Sequence, residues 1–162
     1  MITSERSPLI IWPHNVFMGF LGGFLTILLL SVLTQFSDSL WLMAPFGASC
    51  VLLYGLWDAP LSQPRNIIGG HFISTFIGLL VYHNIGDSNW AIALAVGLSI
   101  SAMVITKTTH PPAGADPIVV IMAGSSWSFL YFPALFGAVV IVLLGLIINN
   151  LHPSRRYPKF WY

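Results

Sequence analysis

The sequence predicts an all-α, polytopic membrane protein: one transmembrane domain over residues 1–162, with six helices in two inverted repeats of three. Three observations predict it. Of 162 residues, 56% are hydrophobic and 7% are charged, whereas about a quarter are charged in soluble domains. Apolar segments recur at about 14–36, 44–57, 66–83, 90–106, 112–124 and 130–150. A single offset of 67 residues pairs Pro45 with Pro112, Gly47 with Gly114, Ala48 with Ala115, Gly70 with Gly137 and Gly78 with Gly145.

The first segment is longer than a signal-peptide core and lacks a small-residue cleavage pattern, so it reads as a retained helix. About a dozen residues precede it, too few for a plastid transit peptide, and a bacterial inner membrane is the expected home. The second and fifth segments are short, roughly 14 residues or about 21 Å of helix, against about 20 residues for a full crossing. They either cross with an extended lead-in or re-enter. Basic residues decide between these in the sequence. With six crossings and a cytoplasmic N-terminus, Arg6, Arg65, Lys107, Arg155, Arg156 and Lys159 fall on or near the cytoplasmic side, and the outer loops carry Asp38 and Asp87. Four crossings would put Arg65 and Lys107 outside, against the positive-inside rule. Trp12, Trp41, Trp57, Trp90, Trp127 and Trp161 lie at segment ends, as interfacial belts require.

The repeats run over about 14–83 and 81–150. Three crossings in each force the second to be inverted relative to the first. In transporters built this way, short or Gly/Pro-interrupted segments at matching positions point to the binding site. Here they are Pro45-Phe46-Gly47-Ala48-Ser49 and Pro112-Ala113-Gly114-Ala115-Asp116. Before the second lie Lys107, Thr108, Thr109, His110 and Pro111. Adjacent prolines stop a helix, yet apolar residues resume at once. Irregular backbone at membrane depth is tolerated only when buried in protein or lining a wet cavity. Ionisable residues there are costly and functional by default.

The string from His110 to Ala115 resembles the signature of the HPP family, small integral membrane proteins of bacteria and plastids. The resemblance covers nearly the whole chain. It implies a multi-pass protein and, since some members are described as nitrite transporters, transport of nitrite. The family is usually described with four spans, from which the six read here depart.

Each short helix begins just after its proline, with unpaired N–H groups and a positive dipole end. Two such starts converging on the midplane attract an anion. The expected function is therefore a channel or carrier for a small monovalent anion, lying in lipid, with a homo-oligomer open. The expected substrate or pore residues are His110, Lys107, Thr109, Pro111, Pro112, Gly114, Ala115, Asp116, Pro45, Gly47, Ser49 and His71.

Each has a plainer role beside it. Lys107 reads equally as a snorkelling anchor, and His110 as a turn cap instead of a proton-relaying site. Asp116 is a scaffold paired with Lys107, Arg65 or His110, or else a solute contact. His71 bonds a neighbouring helix or lines a pore, and Ser49 serves the outer vestibule. Gly70, Gly78, Gly137 and Gly145 suit close helix packing.

Cys50 is the one cysteine, so no disulfide framework exists and it reads as a buried small hydrophobe. Net charge +1 gives no sign of nucleic-acid binding. No cofactor or metal is expected, and no enzyme activity. Two rivals stand beside transport. One is a non-transporting partner subunit. The other is an intramembrane hydrolase using Asp116, since Gly114-Ala115-Asp116 is partly similar to the pattern of intramembrane aspartyl proteases. That chemistry needs a second carboxylate close by, and Asp38, Asp58 and Asp87 map to loops or span ends.

Overall fold

The computed structural model describes residues 12–37 and 39–161; Arg6 and Asp38 lie outside the described residues. Six α-helices carry the fold, and there is no strand among the described residues. They are α1 (Pro13–Phe36), α2 (Ala44–Cys50), α3 (Pro64–Ile85), α4 (Asn89–Ile105), α5 (Asp116–Met122) and α6 (Phe136–Asn149). A π-helical turn, Val51–Gly55, extends α2, and a 3-10 turn, Pro111–Ala115, leads into α5. Turns at Trp127–Leu130 and Tyr131–Leu135 lead into α6. Proline in the first turn starts α1, α2, α3 and α5, where the missing N–H would have had no helical partner. Gly86, at φ 108, ends α3 in a conformation costly for any side chain.

Pro13–Phe36 and Trp127–Asn149 are each long and apolar enough to cross a membrane alone. The 22 residues of α3 are long enough, at about 33 Å, but less apolar. The reason is an inward polar face: Asn66, His71, Ser74 and Thr75 are all buried. Lipid-facing positions run the other way. Phe17, Phe20, Phe24 and Leu28 on α1, Leu94, Leu98 and Val104 on α4, and Leu143 and Ile147 on α6 are exposed. An apolar exterior around a polar centre suits hydrocarbon as solvent.

Contacts between element ends sort into two groups. At one end Arg65 donates to Thr106 O, Asn66 to Thr109 O, and Tyr157 to Ser62 O. Arg155, fully buried there, donates to Asn149 Oδ1, Asn15 Oδ1 and Tyr54 O, with its guanidinium 3.9 Å from the Trp57 ring. It sits against the C-terminal ends of α6 and the extended α2, where a cation meets the negative dipole end. Burial pushes the Tyr157 phenol well above the usual tyrosine range, so it remains a neutral donor. At the other end Trp41 N–H donates to Thr34, the Trp41 ring meets Phe132, and His83 stacks on Trp127.

The two cores are assembled crosswise. One joins α1 and α2 to α6 through residues such as Leu30, Phe46, Leu53 and Ile141. The other joins α4 and α5 to α3 through Ala91, Ala95, Val120 and Leu79. Glycines set the approach in both. A Cβ on Gly70 would stand 3.0 Å from Thr108 O and 3.5 Å from Ala113 Cβ. On Gly137 it would meet Trp41 O at 3.1 Å and collide with Phe46. Gly78 faces Val120 and Gly145 faces Leu53, at 2.6 and 2.7 Å. The partners 108, 113 and 120 stand 67 residues after 41, 46 and 53. The long glycine helix of each half thus rests on the short helix of the other.

Candidate functional site

Four polar side chains with no solvent exposure meet where α2, α3 and the proline turn ahead of α5 come together: Ser49, His71, His110 and Asp116. Ser49 Oγ lies 2.8 Å from His71 Nε2 and 2.9 Å from His110 Nε2. His71 Nδ1 lies 2.8 Å from Asp116 Oδ2, to which Thr75 also donates at 3.3 Å. His110 Nδ1 lies 2.8 Å from Leu61 O. Asp116 Oδ1 is buried without a hydrogen-bond partner. The imidazoles of His71 and His110 meet edge to face, centroids 5.1 Å apart, and Phe46 closes the other side of His71 at 5.0 Å.

Local sequence explains the placement. His71 and Thr75 are four apart on α3 and so share a face. Gly70 beside His71 lets the backbone ahead of α5 come close, which brings His110 to the same point. The proline-bearing 3-10 turn carries the chain from His110 to Asp116. Ser74 donates to Ala113 O at 2.6 Å and fixes that turn to α3.

The first half of α2 and the proline turn ahead of α5 line one groove. Ala44, Pro45 and Ala48 line one side of a groove of about 610 Å³, and Pro111, Pro112 and Ala115 line the other. The groove is apolar; Ser49 and Asp116 lie behind it.

Of the residues expected from sequence, the structure therefore gathers His110, His71, Ser49 and Asp116 into one network. It puts Pro45, Pro111, Pro112 and Ala115 on the adjoining groove. Gly47 and Gly114 have open space where a side chain would be. Thr109 supplies its carbonyl to Asn66. Lys107 is exposed, at φ 57, where the chain turns out of α4, and it is not part of the network.

Three expectations change. Asp116 pairs with His71, not with Lys107, Arg65 or His110, because α3 brings its imidazole to the carboxylate while Arg65 turns to Thr106 O. Ser49 is not in an outer vestibule; the meeting of α2 with α3 and the proline turn buries it. His110 makes no cap bond to its own helix and instead ties residue 61 to residue 49. Thr75, Leu61 O and the Arg155 clamp were missed. The i, i+4 spacing of His71 and Thr75 was the available signal for the first; a carbonyl gives none.

Chemically, the chain Ser49–His71–Asp116 has the contacts of a base-activated serine. Ser49, however, is also held by His110 and reaches no surface. The arrangement is a hydrogen-bonded set of buried groups. No cluster of three or more metal-ligating side chains occurs among the described residues.

The comparisons agree with this frame. A Dictyostelium discoideum transmembrane protein is 36% identical over 98% of this chain and 55% of its own length. A second from the same organism is 41% identical over 75% of the chain and 45% of its own length. The chain spans about half the length of these relatives. A lipoprotein signal peptidase of Methylorubrum extorquens is 27% identical over 74% of the chain and 72% of its own length. No solved structure matches. The family described as "HPP, transmembrane region" matches residues 9–158. With its membrane-facing exterior and that match over nearly its full length, the chain belongs to the HPP family of integral membrane proteins.

Proposed function

We propose that the protein is a six-crossing transporter, channel or carrier, for a small monovalent anion, with nitrite the species that the family resemblance names. The observation that carries this reading is the network of Ser49, His71, His110 and Asp116, unexposed where α2 and the turn into α5 meet α3. Ionisable groups inside a membrane protein are expensive and mark solute or proton pathways. The start of α2 and the proline turn that leads into α5 line the same groove, and a helix start favours negative charge. Asp116 Oδ2 is engaged by His71 Nδ1 at 2.8 Å, and a shared proton there removes its repulsion of an anion.

Two inverted repeats are part of the proposal. They are supported by the exchange of glycine contacts between halves at one offset, and by the crosswise cores. The sorting of helix ends into two groups supports six crossings. A bacterial plasma membrane, with the basic end in the cytoplasm, is the proposed setting.

Purified protein in liposomes tests the function, comparing flux of nitrite, nitrate, formate, bicarbonate and chloride. The expected result is saturable or conductive flux of one or more monovalent anions above protein-free vesicles. It falls in His110→Ala and is partly restored in His110→Gln, which keeps a neutral donor. Absence of flux for every anion with folded protein overturns transport.

A second reading, an intramembrane hydrolase, is favoured by the lipoprotein signal peptidase match. An acid dyad would need another carboxylate beside Asp116, and Asp58 and Asp87 are exposed at helix ends. Cleavage of a lipid-modified peptide, abolished in Asp116→Asn, would carry that reading.

A further inference from the structure

The hydrogen bonds of this network leave few ways to place protons. Leu61 O only accepts, so His110 Nδ1 carries a hydrogen. Ser49 has one O–H and lies against the Nε2 atoms of both rings. It donates to one and must accept from the other. Pro45 O, 3.3 Å from Ser49 Oγ, is a longer and weaker acceptor than the imidazole nitrogens at 2.8 and 2.9 Å, so the Ser49 hydrogen goes to a ring.

Suppose Ser49 donates to His110. His71 then carries a hydrogen on Nε2. Its Nδ1 either donates to a carboxylate, as imidazolium, or accepts from a carboxylic acid at Asp116. Suppose instead that Ser49 donates to His71. His110 then carries both ring hydrogens, and His71 Nδ1–H donates to the carboxylate. Every arrangement holds one proton more than two neutral rings and a carboxylate, and every arrangement is net neutral. That suits a site with no exposure, since an uncompensated buried charge is prohibitive. With the proton on Oδ2, the unpartnered Oδ1 is a carbonyl oxygen, which is cheaper to leave unbonded than an anionic one.

We propose that Ser49, His71, His110 and Asp116 form a proton-binding relay that couples anion movement to protons; this rests on the anion-transport reading. In the relay Asp116 O–H gives its proton to His71 Nδ1. His71 Nε2–H gives its proton to Ser49 Oγ, and the former Ser49 hydrogen passes to His110 Nε2. Each step breaks one N–H or O–H bond and forms another, and the cluster stays neutral. A second proton, delivered by hydronium that leaves as water, then binds the Asp116 carboxylate at the unpartnered Oδ1 and leaves the cluster at a charge of +1, with His110 as imidazolium. A monovalent anion in the adjoining groove then restores neutrality, so one proton and one anion move together.

Other packed elements bring little charge to the cluster. From α2 come Ser49 and the edge of Phe46, while Tyr54 turns to Thr26 of α1 and Cys50 lines the α1–α2 groove. From α3 come His71 and Thr75. Neither α4 nor α6 carries an ionisable side chain.

Two experiments test the relay. The first is nitrogen-15 NMR of histidine-labelled protein in lipid bilayers at neutral pH, assigned against variants of His14, His83 and His152. The expected result is hydrogen on Nε2 of His71 or of His110. Both rings as neutral Nδ1–H tautomers would overturn the proton count, whatever the protein transports. The second uses liposomes with an internal pH dye and a nitrite gradient, with protein-free vesicles giving the nitrous acid background. One proton is expected to enter per anion in the unaltered protein. In Ser49→Ala, and independently in Asp116→Asn, the proton-to-anion ratio should fall towards zero. Anion flux without protons in the unaltered protein, or a ratio still near one in a folded Ser49→Ala, sinks the relay. Absence of anion flux in the unaltered protein sinks the transport reading instead.

Discussion

At the scale of the residue, the centre depends on His71, which holds Ser49 on one nitrogen and Asp116 on the other. Removing it leaves two buried polar groups without their partner. We expect His71→Ala to lower stability by about 3–5 kcal/mol, the usual cost of breaking a buried pair. Asp116→Asn keeps the shape and a neutral side chain, so it should cost much less, about 1–2 kcal/mol. Thermal unfolding of purified protein in detergent checks the order. Equal loss in both would mean that the pair is a fixed ion pair and not a proton-sharing one. These roles were only partly legible beforehand. The string from His110 to Ala115 marked His110, with Asp116 next in the chain, and the 67-residue offset from Asp116 marked Ser49. Nothing in sequence said that one imidazole on α3 would touch both Ser49 and Asp116, because hydrogen-bond partners 22 and 45 residues away are set by packing.

At the scale of the element, the short helices work because glycine helices lie directly on them. Gly78 faces backbone: a Cβ there would be 2.7 Å from Pro117 Cα, which cannot turn aside as a side chain would. Gly47 and Gly114 face open space. We therefore expect Gly78→Ala to destabilise by about 1–3 kcal/mol through overpacking. Gly47→Ala and Gly114→Ala should be near neutral in melting temperature. Gly47→Ala as damaging as Gly78→Ala would mean that something absent from a single chain covers that face, such as a second copy. The positions of α1, α3 and α4 were legible from hydropathy to within about two residues, since a bilayer forces long apolar runs, whereas α5 and α6 begin later than their apolar segments because 3-10 and π turns lead into them. Helix α3 was the hardest to judge by hydropathy alone, because its buried face is the polar one.

At the scale of the whole molecule, the basic ends decide orientation. Arg65 and Lys107 share an end with the Arg155 clamp, while Asp87 and Trp127 lie at the other. The one cysteine, Cys50, is buried, so a single new cysteine reports its own position. Arg65→Cys should react with an impermeant maleimide only when the cytoplasmic face is open. A cysteine at Asp87 should react from outside. Reaction of Arg65→Cys only from outside would rule out six crossings and favour short segments that re-enter.

Composition, apolar run length and the distribution of basic residues follow from the solvent a chain must satisfy, so the sequence by itself determined a helical membrane protein, its helix positions, its family and two proline-started short segments. Tertiary structure alone decided that His71 is the bridge, that Lys107 stands outside the network, and that Arg155 is buried at one end of the bundle. The reason is physical. Hydropathy and helix starts are local properties written within a few residues, whereas a buried hydrogen bond exists only when helices distant in the chain pack closely enough to exclude every other partner.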